Sequence, residues 1–163
     1  MLFFSFLSIF GPFSFASTEP LKPWEVLRLT TFSPSGRPGS SPWSVINITI
    51  SDQNNYNVQT TTVECGAKWT TDLPPYGQGY NCSDVPYGSW TFRMLKSESP
   101  YSSPTQDFGL QFTLVQGMNV FDGSANFAIG DNLRGLCSAS GVCAFQLKEE
   151  MTPFAVEYTK RLL

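Results

Sequence analysis

The 163-residue chain contains no histidine. That absence removes Ser-His-Asp and Cys-His catalysis, a His general base and the commonest metal ligand together. Charge is scarce as well: charged residues make up 14% of the chain, the formal net charge is −3, and Lys and Arg form no cluster. Attraction to nucleic acid or anionic lipid needs grouped basic side chains, so neither a nucleic acid nor a membrane is expected as partner. Internal repeats are missing too, which argues against a structural cell-wall protein. Carboxylates remain: Glu64, Asp107, Asp122 and Asp131 lie within or near strand-like segments, so a paired-carboxylate hydrolase stays open as an alternative. Acids scattered among strand ends are more often turn formers or caps. The chain is therefore read as non-enzymatic, with no cofactor and no metal. The segment Gly130-Asp131-Asn132-Leu133-Arg134-Gly135 has glycines but no Lys-Ser/Thr of a phosphate loop, and reads as a plain turn.

The one long apolar run is Met1 to Ala16 (MLFFSFLSIFGPFSFA), which carries no charged side chain. It is broken by Gly11-Pro12 and ends in the small-x-small triplet Ser14-Phe15-Ala16. That layout predicts a secretory signal peptide over residues 1–16, removed before Ser17. A membrane span needs about 20 apolar residues, and the run falls short of that. Residues 17–163 are then expected to form a single secreted domain, large enough to bury a hydrophobic core.

Four cysteines, Cys65, Cys82, Cys137 and Cys143, fit two disulfides in an oxidising compartment. Three pairings are open. The sequential one, Cys65–Cys82 with Cys137–Cys143, is favoured because each link closes a segment rich in turn residues. Zinc is disfavoured, since the spacing is wrong for a knuckle and histidine is lacking. Two N-glycosylation sequons also fit secretion: Asn47-Ile48-Thr49 and Asn81-Cys82-Ser83. In the first, Ile46, Ile48 and Ile50 share one face of a strand, so Asn47 and Thr49 point the other way, toward water.

Strand-like alternation runs through nearly the whole chain. The candidates are Trp24 to Phe32, Ser44 to Ser51, Asn57 to Cys65, Trp90 to Lys96, Phe108 to Leu114, Asn119 to Ile129, Val142 to Leu147 and Pro153 to Thr159. About eight short strands between Gly, Pro, Ser and Asn clusters predict an all-β fold, a compact antiparallel barrel or sandwich. Phe108, Leu110, Phe112 and Leu114 hold strict period two and are expected in the core, as are Trp24, Trp43, Trp69 and Trp90. Gly123, on the apolar side of its strand, reads as a small-residue hole filled by a neighbouring Phe or Trp.

The longest breaks are Leu73 to Ser89 and Ser97 to Gln106. The first repeats a short motif, Pro75-Tyr76-Gly77 and Pro86-Tyr87-Gly88, with Tyr80 between. Pro sets φ for a turn and Gly tolerates a positive φ, so both tyrosines sit on tight turns. Tyr76, Tyr80 and Tyr87 are the partner-binding candidates, since tyrosine offers large contact area at small entropic cost. The competing role for them is to fold back over the Cys82 disulfide and cover the end of the barrel.

Several features together resemble one known family. They are the Trp-initiated first strand (Trp24-Glu25-Val26) running to Arg37-Pro38, the strand Val45 to Ile50, and the two cysteine pairs, with Trp69 after the first cysteine and Trp90 after the second. The chain is similar in these respects to the Alternaria major-allergen-like domain of small secreted fungal proteins, over nearly all of the segment from Trp24 onward. The resemblance implies an antiparallel β-barrel with two internal disulfides and a part in fungus–plant contact, including contact with thaumatin-like plant defence proteins. The founding allergen joins two subunits through an extra N-terminal cysteine. Ser17 to Glu64 contains none here, so no covalent dimer is expected. The resulting expectation is a secreted, extracellular, non-enzymatic binding protein, a fungal effector, elicitor or allergen-like protein at a host surface. Its alternative is a carbohydrate-binding module.

Overall fold

The computed structural model describes residues 20–54 and 62–163. The predicted signal peptide and its cleavage point lie outside the described residues, as does the first part of the expected strand Asn57 to Cys65.

Eleven strands build two antiparallel sheets: β1 (Trp24–Ser33), β2 (Ser44–Ser51), β3 (Thr62–Trp69), β4 (Gly79–Asn81), β5 (Ser89–Lys96), β6 (Asp107–Gln116), β7 (Asn119–Ala128), β8 (Leu133–Cys137), β9 (Cys143–Leu147), β10 (Phe154–Val156) and β11 (Tyr158–Leu162). One sheet has the order β3-β2-β1-β9-β8, with β10 also paired to β1; the other runs β11-β7-β6-β5-β4. Of the two architectures expected, the sandwich is the one formed, because the ladders stay separate instead of closing into a barrel. They meet at two corners. At one, Cys65 of β3 is bonded to Cys82 just after β4. At the other, the chain leaves β10 in the first sheet and enters β11 in the second across the single residue Glu157.

The inner faces follow the period-two patterns. Ile46, Ile48 and Ile50 from β2 face Trp90, Phe92 and Met94 from β5 and Phe108, Leu110, Phe112 and Leu114 from β6 in one buried cluster. In β1 a bulge at Leu27 shifts the pairing with β2, so the buried set changes parity from Trp24 and Val26 to Leu29 and Thr31. Gly123 of β7 is where the Trp24 ring beds in. A Cβ there would stand 3.1 Å from Trp24 Cζ3 and 2.8 Å from the Glu157 carbonyl oxygen. The hole is thus filled by a tryptophan, as the sequence predicts. Trp24 also stacks on Tyr158 of β11, with ring centroids 4.3 Å apart.

Four details differ from the sequence reading. The third strand continues past its expected end at Cys65 to Trp69, the last alternating inward residue. Tyr80 belongs to a short strand, β4, paired with β5 inside what reads as a loop. The segment Gly130 to Gly135 is a turn only in its first half, since Leu133 opens β8. Asn132 holds that turn: its Oδ1 accepts from the Ala128 N–H at 2.9 Å and its Nδ2 donates to the Asn126 carbonyl at 2.8 Å. Finally, Trp43 is not a core residue. It lies one position before β2 and is 48% exposed, whereas Trp24, Trp69 and Trp90 are buried.

Candidate functional site

Both disulfides have the sequential pairing, Cys65–Cys82 and Cys137–Cys143, and no cysteine is free. The second links a directly opposed pair in the β8–β9 hairpin.

The three tyrosines of the Leu73–Ser89 segment are half-buried and pack against the core cluster. Tyr80 lies on Phe92, with ring centroids 5.3 Å apart. The hydroxyls of Tyr76 and Tyr87 are buried and make no hydrogen bond of full geometry, and the same holds for Trp90 Nε1. Burial pushes the Tyr76 phenol above its ordinary pKa, offset in part by nearby Ser102. Burial does the same to Tyr87, which lies near the Trp90 indole. Tyrosines on partner-binding loops usually turn the hydroxyl outward, where it can meet a partner. Here two of the three have the hydroxyl buried.

The carboxylates considered for acid–base chemistry are dispersed. Glu64, on β3, accepts from the Thr49 hydroxyl at 2.9 Å. Asp122, on β7 in the other sheet, accepts from the Thr113 hydroxyl at 2.7 Å and pairs with Arg161 Nε at 2.9 Å. Among the described residues no group of three or more His, Cys, Asp or Glu could hold a metal ion, and no helix is long and apolar enough to cross a membrane.

A groove of about 770 Å³ opens on the outer face of the six-stranded sheet. That volume lies within the range of small-ligand sites, roughly 300–1,000 Å³. Strand register explains its make-up. One row of outward residues crosses the sheet as Gly66, Asn47, Thr30, Gln146 and Arg134; the next crosses as Lys68, Val45, Phe32, Ala144 and Leu136. The first row is polar and the second mostly apolar, with Phe32 39% and Leu136 72% exposed. An outward face of a sandwich is ordinarily polar throughout, and a contiguous exposed apolar row marks a contact surface. Arg134 is held at the groove wall by Glu149. With the Gln146 amide oriented by its hydrogen bonds, its oxygen accepts from Arg134 Nε at 3.1 Å and Nη2 at 3.0 Å.

Asn47 therefore sits in the wall of this groove, exposed as its strand parity predicts. Asn81 is exposed on β4, in the other sheet. Sequence reasoning missed the groove because its apolar row is assembled from single residues on four strands. In sequence each is an ordinary outward position. The signal available was Phe32 and Leu136 occurring where alternation calls for polar side chains. No protein-family model, no curated protein and no solved structure matches the chain.

Proposed function

We propose that this chain is a secreted, non-enzymatic binding protein whose contact surface is the outer face of the six-stranded sheet. The observation that carries the reading is the exposed Phe32–Ala144–Leu136 row beside a polar row, on a sheet that needs neither for its own core. Two disulfides support an oxidising compartment. The sequential disulfides also accord with the resemblance to the Alternaria major-allergen-like family, while the sheets form a sandwich and not the barrel that it implies. On that resemblance the partner is a host extracellular protein, with a thaumatin-like defence protein as the first to try.

A second reading, carbohydrate binding, is favoured by one feature of the same face. Phe32 lies one row over from the planar amides of Asn47 and Gln146 and the Thr30 hydroxyl, and a sugar presents C–H faces to an aromatic ring and hydroxyls to polar groups. The test is capture by immobilised protein from plant apoplastic fluid, run beside a glycan array. Leu136→Lys and Phe32→Asp should abolish capture while the circular dichroism spectrum stays unchanged. Retention of capture by both variants, with loss in a triple Tyr76, Tyr80 and Tyr87 to Ser variant that still folds, would return the contact surface to the tyrosine segment.

A further inference from the structure

The geometry points to an N-linked glycan on Asn47 as the occupant of this groove in the secreted protein, so that only molecules lacking the glycan present the face to a partner. The inference rests on the extracellular reading above and adds a regulatory step to it.

The local structure favours seating of a glycan carried at this position. Asn47 lies on β2, between β3 and β1, with its side chain exposed, and among the described residues that side chain makes no hydrogen bond. Its side-chain amide is thus unengaged in the folded sheet. Its cross-strand neighbour on one side is Gly66, and on the other the small Thr30. A Cβ on Gly66 would stand in ordinary contact with Asn47 Oδ1, at 3.5 Å, so the glycine leaves that side of Asn47 open in the folded sheet. The first sugar therefore meets no large side chain beside it in its own row. The adjoining apolar row is close: one strand over and two residues along puts Phe32 about 8 Å from Asn47, from the ordinary strand spacing and rise. A sugar linked to Asn47 can lay its C–H face on Phe32 and Ala144 while its hydroxyls meet Thr30 and Gln146. The match between an amphipathic ligand and two rows of opposite polarity, with the attachment point in one of them, is what singles out this occupant.

The attachment is a group transfer before folding. The donor is a polyprenyl-pyrophosphate-linked oligosaccharide of the secretory pathway. The Asn47 Nδ2–C1 bond forms as the C1–O bond to phosphate breaks, the lipid pyrophosphate leaves, and Nδ2 gives up one proton to a base. Thr49 supplies the hydroxyl that the sequon requires. Asn81 provides an internal control, since its glycan would stand on β4 of the other sheet.

The experiment secretes the full chain from a glycosylating host and reads two quantities. Peptide mass spectrometry gives occupancy at Asn47 and Asn81. Fluorescence of the apolar dye ANS reports exposure of the groove in the folded protein. Wild-type protein should carry the glycan at Asn47 and bind little dye. Enzymatic removal of the glycan from folded protein, and separately Asn47→Gln, should each raise dye binding several-fold, and Asn81→Gln should not. Adding Phe32→Ser and Leu136→Ser to Asn47→Gln should cancel the rise. An unmodified Asn47 in the secreted protein, or dye binding unchanged by enzymatic deglycosylation, overturns the inference. The dye requires no partner, so a failure to capture any partner with the Asn47→Gln form sinks the binding reading and leaves this one standing.

Discussion

Phe112 and Gln111 are neighbours on β6 with opposite fates, which makes them a sensitive pair for testing packing. Phe112 is fully buried between the sheets, while Gln111 faces out. Phe112→Ala should lower stability by about 3–5 kcal/mol in urea unfolding, through lost apolar burial and the cavity left behind. Gln111→Ala should change it by less than about 0.5 kcal/mol. Tyr87 tests a subtler point. Its ring packs on the core but its buried hydroxyl has no full hydrogen bond. Removing an unsatisfied buried hydroxyl costs little, so Tyr87→Phe should stay within about 1 kcal/mol of wild type or gain slightly. Tyr87→Ser discards the ring and should destabilise clearly more. Equal effects of the two changes would mean that the hydroxyl has a partner. At Gly123 the constraint is steric: Ala would collide with the Glu157 carbonyl and the Trp24 ring, and a loss of about 1–3 kcal/mol is expected from the overpacking.

At the level of elements, the edge strand β11 depends on a small charged network. Arg161 of β11 reaches Asp122 of β7, which also accepts from Thr113 of β6, so one carboxylate ties three strands. Burial works to raise the Asp122 pKa, but the Thr113 hydroxyl and the Arg161 guanidinium together outweigh it and leave the carboxyl below its ordinary value. A depressed folded-state pKa stabilises the fold above the unfolded-state value of about 3.9, and the contribution is lost as pH falls through the folded value. The Arg161 side chain is 61% exposed, which holds the contribution to about 0.2–1 kcal/mol. Asp122→Asn should therefore destabilise slightly near neutral pH and be indistinguishable from wild type near pH 2. A difference that persists in acid would assign the effect to packing and not to charge.

For the whole molecule, the two disulfides have unequal jobs. Cys65–Cys82 joins the two sheets at a corner and closes 17 residues, whereas Cys137–Cys143 closes 6 within one hairpin. Loop entropy assigns about 3 kcal/mol to the first and about 2 kcal/mol to the second. Replacing Cys65 and Cys82 together by Ala should lower the melting temperature more than replacing Cys137 and Cys143, since the corner link also holds the sheets in register. Because Cys137 lies on the groove's edge strand β8, its loss should instead show up in contact-surface assays.

What could be read from the chain alone was whatever depends on local periodicity. Phe108, Leu110, Phe112 and Leu114 reveal their strand and its buried face because side chains alternate with period two along any strand. Asn47 could be placed on the wet side of β2 by the same rule, from the isoleucines beside it. The sequential disulfides are favoured because each closes a turn-rich segment, and the structure selects them from the three open pairings. Four things required the tertiary structure. Whether the sheets close into a barrel depends on ladders between distant strands. The depth of Tyr76 and Tyr87 depends on which core their turns fold over. Trp43 and Trp69 look alike in sequence, yet one is exposed and the other buried. The groove exists only because register sets Phe32 beside Ala144 and Leu136, residues more than 100 positions apart. Local alternation assigns each residue to a face of its own strand. Only pairing between strands decides which residues become neighbours on that face.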